Sequence, residues 1–239
     1  MAPPYILYAF SGRRREGAET CAHRLDRMLA SLADVHTALS TWKISSEPWG
    51  SSAQYRATPL TIPELTAIIE QRQFMTDIPG VAMPQLGYRL RLLNGRGDDH
   101  RVWMSAQMGA YTERQEEPNS VFAEFRHPVS GNSDLLNADI LMRTLVAVSL
   151  PWEANWGVVM PWGYSGRYAT PLKRPWAGWI TYLCPRHAQR ISPPQSIISR
   201  PAPDGGLLLI ATEEPFDREN QAHTSSADAI EAALRPVQT

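Results

Sequence analysis

Gly87-Tyr88-Arg89-Leu90-Arg91-Leu92-Leu93 runs into Asn94-Gly95, and Arg101-Val102-Trp103-Met104-Ser105-Ala106-Gln107-Met108 follows shortly after. The first run alternates apolar with basic residues, the period of a strand with one buried face. Asn-Gly readily adopts the positive φ angles of a tight hairpin turn, so the second run is expected to return antiparallel to the first. Ser120-Val121-Phe122-Ala123-Glu124-Phe125 supplies a third strand of the same kind, which makes an antiparallel meander.

Working outward, Tyr5-Ile6-Leu7-Tyr8-Ala9-Phe10 reads as a buried strand. Ser11-Gly12-Arg13 turns the chain into a helix expected over about residues 18–34. There Cys21, Leu25, Met28, Leu29 and Leu32 recur at spacings of three and four. Residues 38–45 read as a short strand around Trp42, and 47–58 as a Pro/Gly/Ser-rich loop. Thr61 and Glu64 stand at the two positions of a capping box, opening a helix expected to end near Arg72.

Beyond the meander, a helix is expected from about Asp134 to Leu150, capped by Ser133 or Asp134, with Leu136, Ile140, Leu141, Leu145 and Val148 inward. Strands are expected at 157–160, 179–183 and 207–211, and a short helix at 227–234 capped by Ser225. Helices mixed with antiparallel hairpins define an α+β class: antiparallel sheet of short strands, two main packed helices and shorter ones. No low-complexity linker divides residues 1–239, so one domain is expected.

Charge is nearly balanced, with 23 Lys+Arg against 24 Asp+Glu. A chain that grips a phosphate backbone carries a basic surplus, so direct nucleic-acid binding is not expected. The N-terminal residues lack a signal-peptide pattern, and no run approaches a membrane span; a cytoplasmic location with no membrane partner is the expectation. Cys21 and Cys184 make no disulfide framework, and Cys21 falls on the apolar stripe of its helix, the place of a structural thiol.

Patterns that carry catalysis are weak. Gly163-Tyr164-Ser165-Gly166-Arg167 has Arg where a nucleophile elbow needs Gly, and a Pro-rich stretch follows it in place of a helix. No phosphate-cradling or dinucleotide-binding glycine motif is present. None of the six His pairs with another at metal-ligand spacing, and Gly95-Arg96-Gly97-Asp98 reads as a polar hairpin loop. No catalytic residue, metal or cofactor is therefore expected.

The clearest asymmetry is acidic. Glu213, Glu214, Asp217 and Glu219 cluster near the C-terminus, where few basic residues oppose them, and Glu116-Glu117 is a second acidic pair. Such a segment is either a solvated edge or a surface complementary to a basic partner.

Several pieces taken in order resemble the immunity protein 52 family of bacterial polymorphic toxin systems. They include the opening strand with Gly12-Arg13, the Cys21 helix, Leu86 to Leu90, Met108-Gly109-Ala110 and Pro118-Asn119-Ser120-Val121. Leu39 to Trp42, the helix after Pro63, Trp152-Glu153, Trp156-Gly157, Gly178 to Leu183, and the Gly205-Gly206 strand that leads to Glu213-Glu214-Pro215 complete the set. The resemblance implies a protein without catalysis that binds and neutralises a cognate toxin, often a nuclease delivered by a type VI or contact-dependent secretion system. The six acidic residues are then the candidate contacts with a basic toxin face. Occlusion of the toxin's active site and binding elsewhere both remain open. Two other readings are a small hydrolase-like enzyme, which a deep polar pocket would favour, and a structural part of a secretion apparatus, which symmetric assembly would favour.

Overall fold

The computed structural model describes residues 3–45, 55–75, 81–94, 100–113, 118–126, 134–164 and 174–238. Ten strands lie in one sheet: β1 (Tyr5–Ser11), β2 (Trp42–Ser45), β3 (Tyr55–Ala57), β4 (Tyr88–Asn94), β5 (Val102–Met108), β6 (Asn119–Phe125), β7 (Trp156–Pro161), β8 (Ile180–Leu183), β9 (Ile198–Pro201) and β10 (Leu207–Ile210). Their spatial order is β3-β2-β4-β5-β6-β1-β7-β8-β10-β9, with every neighbouring pair antiparallel. The helices are α1 (Ala18–Val35), α2 (Ile62–Glu70), α3 (Ala138–Ser149), α4 (Pro185–Ala188) and α5 (Gln221–Leu234). The expected α+β class and the β4-β5-β6 meander are both present.

The strand period decides which residues meet the helices. Gly157 pairs with Ala9 and with Tyr182, and a Cβ there would stand 2.8 Å from Leu145 of α3. Gly157, Leu7, Ala9 and Val159 therefore share the face that α1, α2 and α3 cover, while Tyr8, Phe10, Trp156 and Val158 point to the other. On that second face Phe10 stacks on Trp156 at 4.4 Å, and Trp176 packs edge-on against both. Glu231 of α5 accepts the Ala177 N–H and so ties α5 to the segment that carries Trp176.

The α1 stripe behaves as its spacing predicts. Cys21, Leu25, Met28 and Leu32 have no exposed surface. Burial, reinforced by the nearby Glu16 charge and opposed by Arg24, pushes the Cys21 thiol up to about 12, as befits a structural thiol. The capping box of α2 is also present: Thr61 Oγ1 accepts the Glu64 N–H, and Glu64 Oε2 accepts the Thr61 N–H at 2.8 Å. Thr61→Ala is expected to cost about 1 kcal/mol, a fall in Tm of roughly 2–4 °C by thermal denaturation.

The α1–α3 side is fastened by two arginines. Arg24 Nη1 donates to the Pro151 carbonyl at 2.7 Å, while Nε and Nη2 donate to Glu16 Oε1 at 3.1 and 2.8 Å. Arg14 donates to the Trp152 and Glu153 carbonyls, both at 2.9 Å. The cations thus take carbonyls just beyond the α3 C-terminus, where the helix dipole is negative. They hold Glu153 at φ +44, a left-handed conformation uncommon for a residue with a side chain.

Several boundaries differ from the sequence reading. Leu93 pairs with Trp103, so the β4-β5 connection is longer than a two-residue turn on Asn94-Gly95. Asn94 instead ends its strand, and its buried amide donates to the Ala38 and His100 carbonyls and accepts the Val102 N–H. Ala38 and Leu39, expected to open a strand, belong to a 3-10 turn over residues 37–39, and Tyr55–Ala57 pairs with β2 where a loop was expected. Asn137, not Ser133 or Asp134, caps α3, with Oδ1 accepting the Asp139 N–H. Asn220, not Ser225, caps α5, which starts six residues earlier than expected. β9 was not anticipated. Ser133, Ser165 and the residues after Asn94 as far as 99 lie outside the described residues.

Candidate binding surface

Residues 211–220 carry the chain from β10 to α5. Backbone and aromatic anchors pin this stretch. Ala211 N–H donates to the Trp179 carbonyl, and Trp179 Nε1 donates to the Thr212 carbonyl at 2.8 Å. Phe216 is buried against Tyr164 and His223, and its carbonyl accepts the Tyr5 hydroxyl at 2.7 Å. Burial, and secondarily the Asp217 charge, push the Tyr5 phenol up to about 12, so it stays a donor. His223 Nδ1 accepts the Asp217 N–H at 3.0 Å, and Asp217 Oδ1 in turn accepts the Glu219 N–H at 2.9 Å.

With Phe216 inward, the acidic side chains turn outward. Those of Glu213, Glu214 and Glu219 are 73%, 82% and 81% exposed. Their contacts lie in solvent: Glu213 with Arg200 of β9 at 3.7 Å, Glu214 with His223 at 3.9 Å, and Glu219 with its neighbour Arg218 at 3.1 Å. Contacts of this kind in solvent contribute about 0–1 kcal/mol and leave the carboxylates available to another partner.

The segment's acids fall into two groups. Asp217 and Glu219 line a recess with Pro3, Tyr5 and Pro161, whereas Glu213 faces α3 across a second recess that holds Asp139 and Arg200. Arg218 is legible in the sequence as a base inside the acidic stretch, but Arg200 and Asp139 are not legible as neighbours, since β9 has no strand pattern and α3 is remote in the chain. Glu116 and Glu117 lie outside the described residues.

Among the described residues, no group of three His, Cys, Asp or Glu side chains has the arrangement of a metal site. Asp134 does bring together His36 and His100, at 3.1 and 3.3 Å, a contact between the end of α1 and the approach to α3 that spacing alone did not indicate. No described helix is long and apolar enough to cross a membrane.

The family model of immunity protein 52 matches residues 4–237, nearly the whole chain. The chain belongs to the immunity protein 52 family. No curated protein matches it. Among solved structures, the Pseudomonas aeruginosa T6SS protein PA0821 is similar in fold, with a TM-score of 0.53 at 12% identity, over 99% of this chain and 73% of that one. At that identity the likeness speaks for architecture alone. The ordered pieces from Gly12-Arg13 to Glu213-Glu214-Pro215 thus led to the family that the whole-chain match shows.

Proposed function

We propose that this immunity protein acts as one domain in the cytoplasm to bind and neutralise a cognate toxin, a nuclease delivered by a type VI or contact-dependent secretion system. The observation that carries the reading is the pinned acidic segment of a chain in an immunity family. Glu213, Glu214, Asp217 and Glu219 project from a stretch whose backbone is fixed by Trp179, Tyr5 and His223.

A nuclease must offer a basic face to its substrate. Carboxylates held in place mimic phosphate, occlude that face and steer the encounter, and less ordering entropy is lost because the segment is already fixed. Glu116 and Glu117 are a second candidate patch. The role requires no catalysis, cofactor or direct nucleic-acid contact.

The triple variant Glu213→Lys, Glu214→Lys, Asp217→Lys tests the electrostatic part. Its association rate with the cognate toxin domain is expected to fall about 10-fold or more at low salt, with a smaller difference at high salt. Surface interferometry measures both. Equal association rates for a folded triple variant and the native chain would remove this segment from the interface.

A further inference from the structure

The helix layer stops one helix short of the sheet's edge. α1, α2 and α3 cover one face as far as β8, but the same face of β10 and β9 has α3 on one side only. Leu208 pairs with Tyr182 and Ile210 with Ile180, which puts both on the helix side, and Arg200 of β9 stands beside Leu208. Strands lie about 4.8 Å apart and a helix is about 10 Å across, so two strands make one helix-width.

A groove occupies that slot. Its central part is a cavity of about 450 Å³ walled by Val35, Met142, Val146 and Leu150 on the helix side and Pro201 and Leu208 on the strand side. A recess at the α3 N-terminus shares Met142 and Arg200 with it, and another beyond the α3 C-terminus shares Leu150 and Pro203. The three run end to end along α3, about 20 Å, enough for three to four helical turns.

The rim is acidic. Asp34, Asp139 and Glu213 stand toward one end, and Glu153 and Asp204 stand at the other, against Arg143 and Arg200. Glu153 is already held by Arg14 and Arg24, and Asp204 accepts the Tyr182 hydroxyl and the Gly206 N–H, which leaves Asp34, Asp139 and Glu213 against two guanidiniums. Both guanidiniums are engaged within the rim, Arg143 with Asp139 at 3.8 Å and the Asp34 carbonyl at 2.9 Å, Arg200 with Glu213 at 3.7 Å.

We propose that this groove receives an amphipathic helix of the toxin, with its apolar stripe laid between α3 and β9-β10 and its Lys or Arg flanks facing the rim carboxylates. The proposal rests on the toxin-binding reading and deepens it. Glu213 belongs to both surfaces, so the acidic segment meets the groove at that residue. An apolar trough with acidic rims selects such a helix by the same pattern that seats amphipathic helices in other grooves.

The test compares the native chain with Val146→Arg, Val146→Leu and Ser31→Arg for binding to the cognate toxin domain, by calorimetry, with Tm and light scattering on each protein. Val146 is half-buried on the groove wall, and Ser31 lies on the α1 side of the same wall. The expected result is a loss of 10-fold or more in affinity for both Arg variants, native affinity for Val146→Leu, and Tm values near native for at least Ser31→Arg. If the native chain binds and both folded Arg variants bind equally well, the groove is not the site and the toxin-binding reading stands; a toxin strand adding to the β9 edge would give this result. If the native chain fails to bind the toxin domain at all, the toxin-binding reading fails and the groove proposal with it. A native dimer that Arg at 146 or 31 converts to monomer would assign the groove to a second copy of this chain and overturn the proposal.

Discussion

Trp179→Ala is expected to destabilise the fold by about 3–5 kcal/mol, a fall in Tm of roughly 6–20 °C. The indole has no exposed surface, and Tyr5 packs on it at 5.2 Å. Removing it opens a cavity between the centre of the sheet and the acidic segment. The loss extends to the segment itself, because Nε1 donates to the Thr212 carbonyl. Trp179→Phe separates the two effects. It keeps most of the apolar volume and deletes only the donor, for about 1–3 kcal/mol. If the pinned segment is what toxin meets, Trp179→Phe should bind more slowly than its small loss of stability explains. Chemical denaturation and association kinetics on the two variants check both statements. A Trp179→Ala protein as stable as the native chain would contradict the packing described.

The second large effect is at Arg24. Arg24→Met is expected to cost about 3–5 kcal/mol, although Met approaches the volume of the Arg stem. The substitution leaves the Glu16 carboxylate, only 15% exposed, without its partner at 2.8 Å and also strips the Pro151 carbonyl of its donor. Glu16 and Glu153 hold the Arg24 guanidinium charge above its ordinary strength against the opposing, and largest, influence of burial. The double variant Arg24→Met, Glu16→Leu should recover a large part of the loss, since an uncompensated buried charge is worse than none. Urea titrations of the two singles and the double form a cycle whose coupling should exceed about 1 kcal/mol. Additive losses would mean that Glu16 and Arg24 act independently.

Legibility in the sequence followed the strength of local periodicity. α1 and the β4-β5-β6 meander were readable because their apolar residues recur at one period without interruption. The start of α3 was misplaced because Leu135 and Leu136 extend the apolar pattern, while the cap is a polar Asn137 inside it. α5 was read too short because Gln221 to Ser226 has few apolar residues and no stripe, and its entry is fixed by Asn220 and by His223 against Phe216. β9, Ile-Ser-Arg-Pro, has neither alternation nor length. It is a strand because β10 offers it a ladder, and Pro201 suits an edge.

The candidate site divides along the same line. Four acids within seven residues were visible as composition. That Phe216 turns inward, fixing which way the acids point, depends on Tyr5, Tyr164 and His223, which are remote from it in sequence or on the next helix. The groove was invisible because its walls come from α1, α3 and the β9-β10 hairpin, and a missing helix leaves no mark in a sequence.

The place of β1 sets the order in which this protein is made. Residues 5–11 leave the ribosome well before their two neighbours, residues 119–125 and 156–161. At ordinary synthesis speeds the nascent chain therefore carries Tyr-Ile-Leu-Tyr-Ala-Phe unpaired for roughly 6–23 s, until residue 125 is made. Half-made chains cannot close the sheet, so any surface built on the closed sheet exists only in completed molecules. On the toxin-binding proposal, the molecules that meet an incoming toxin are those already complete and folded.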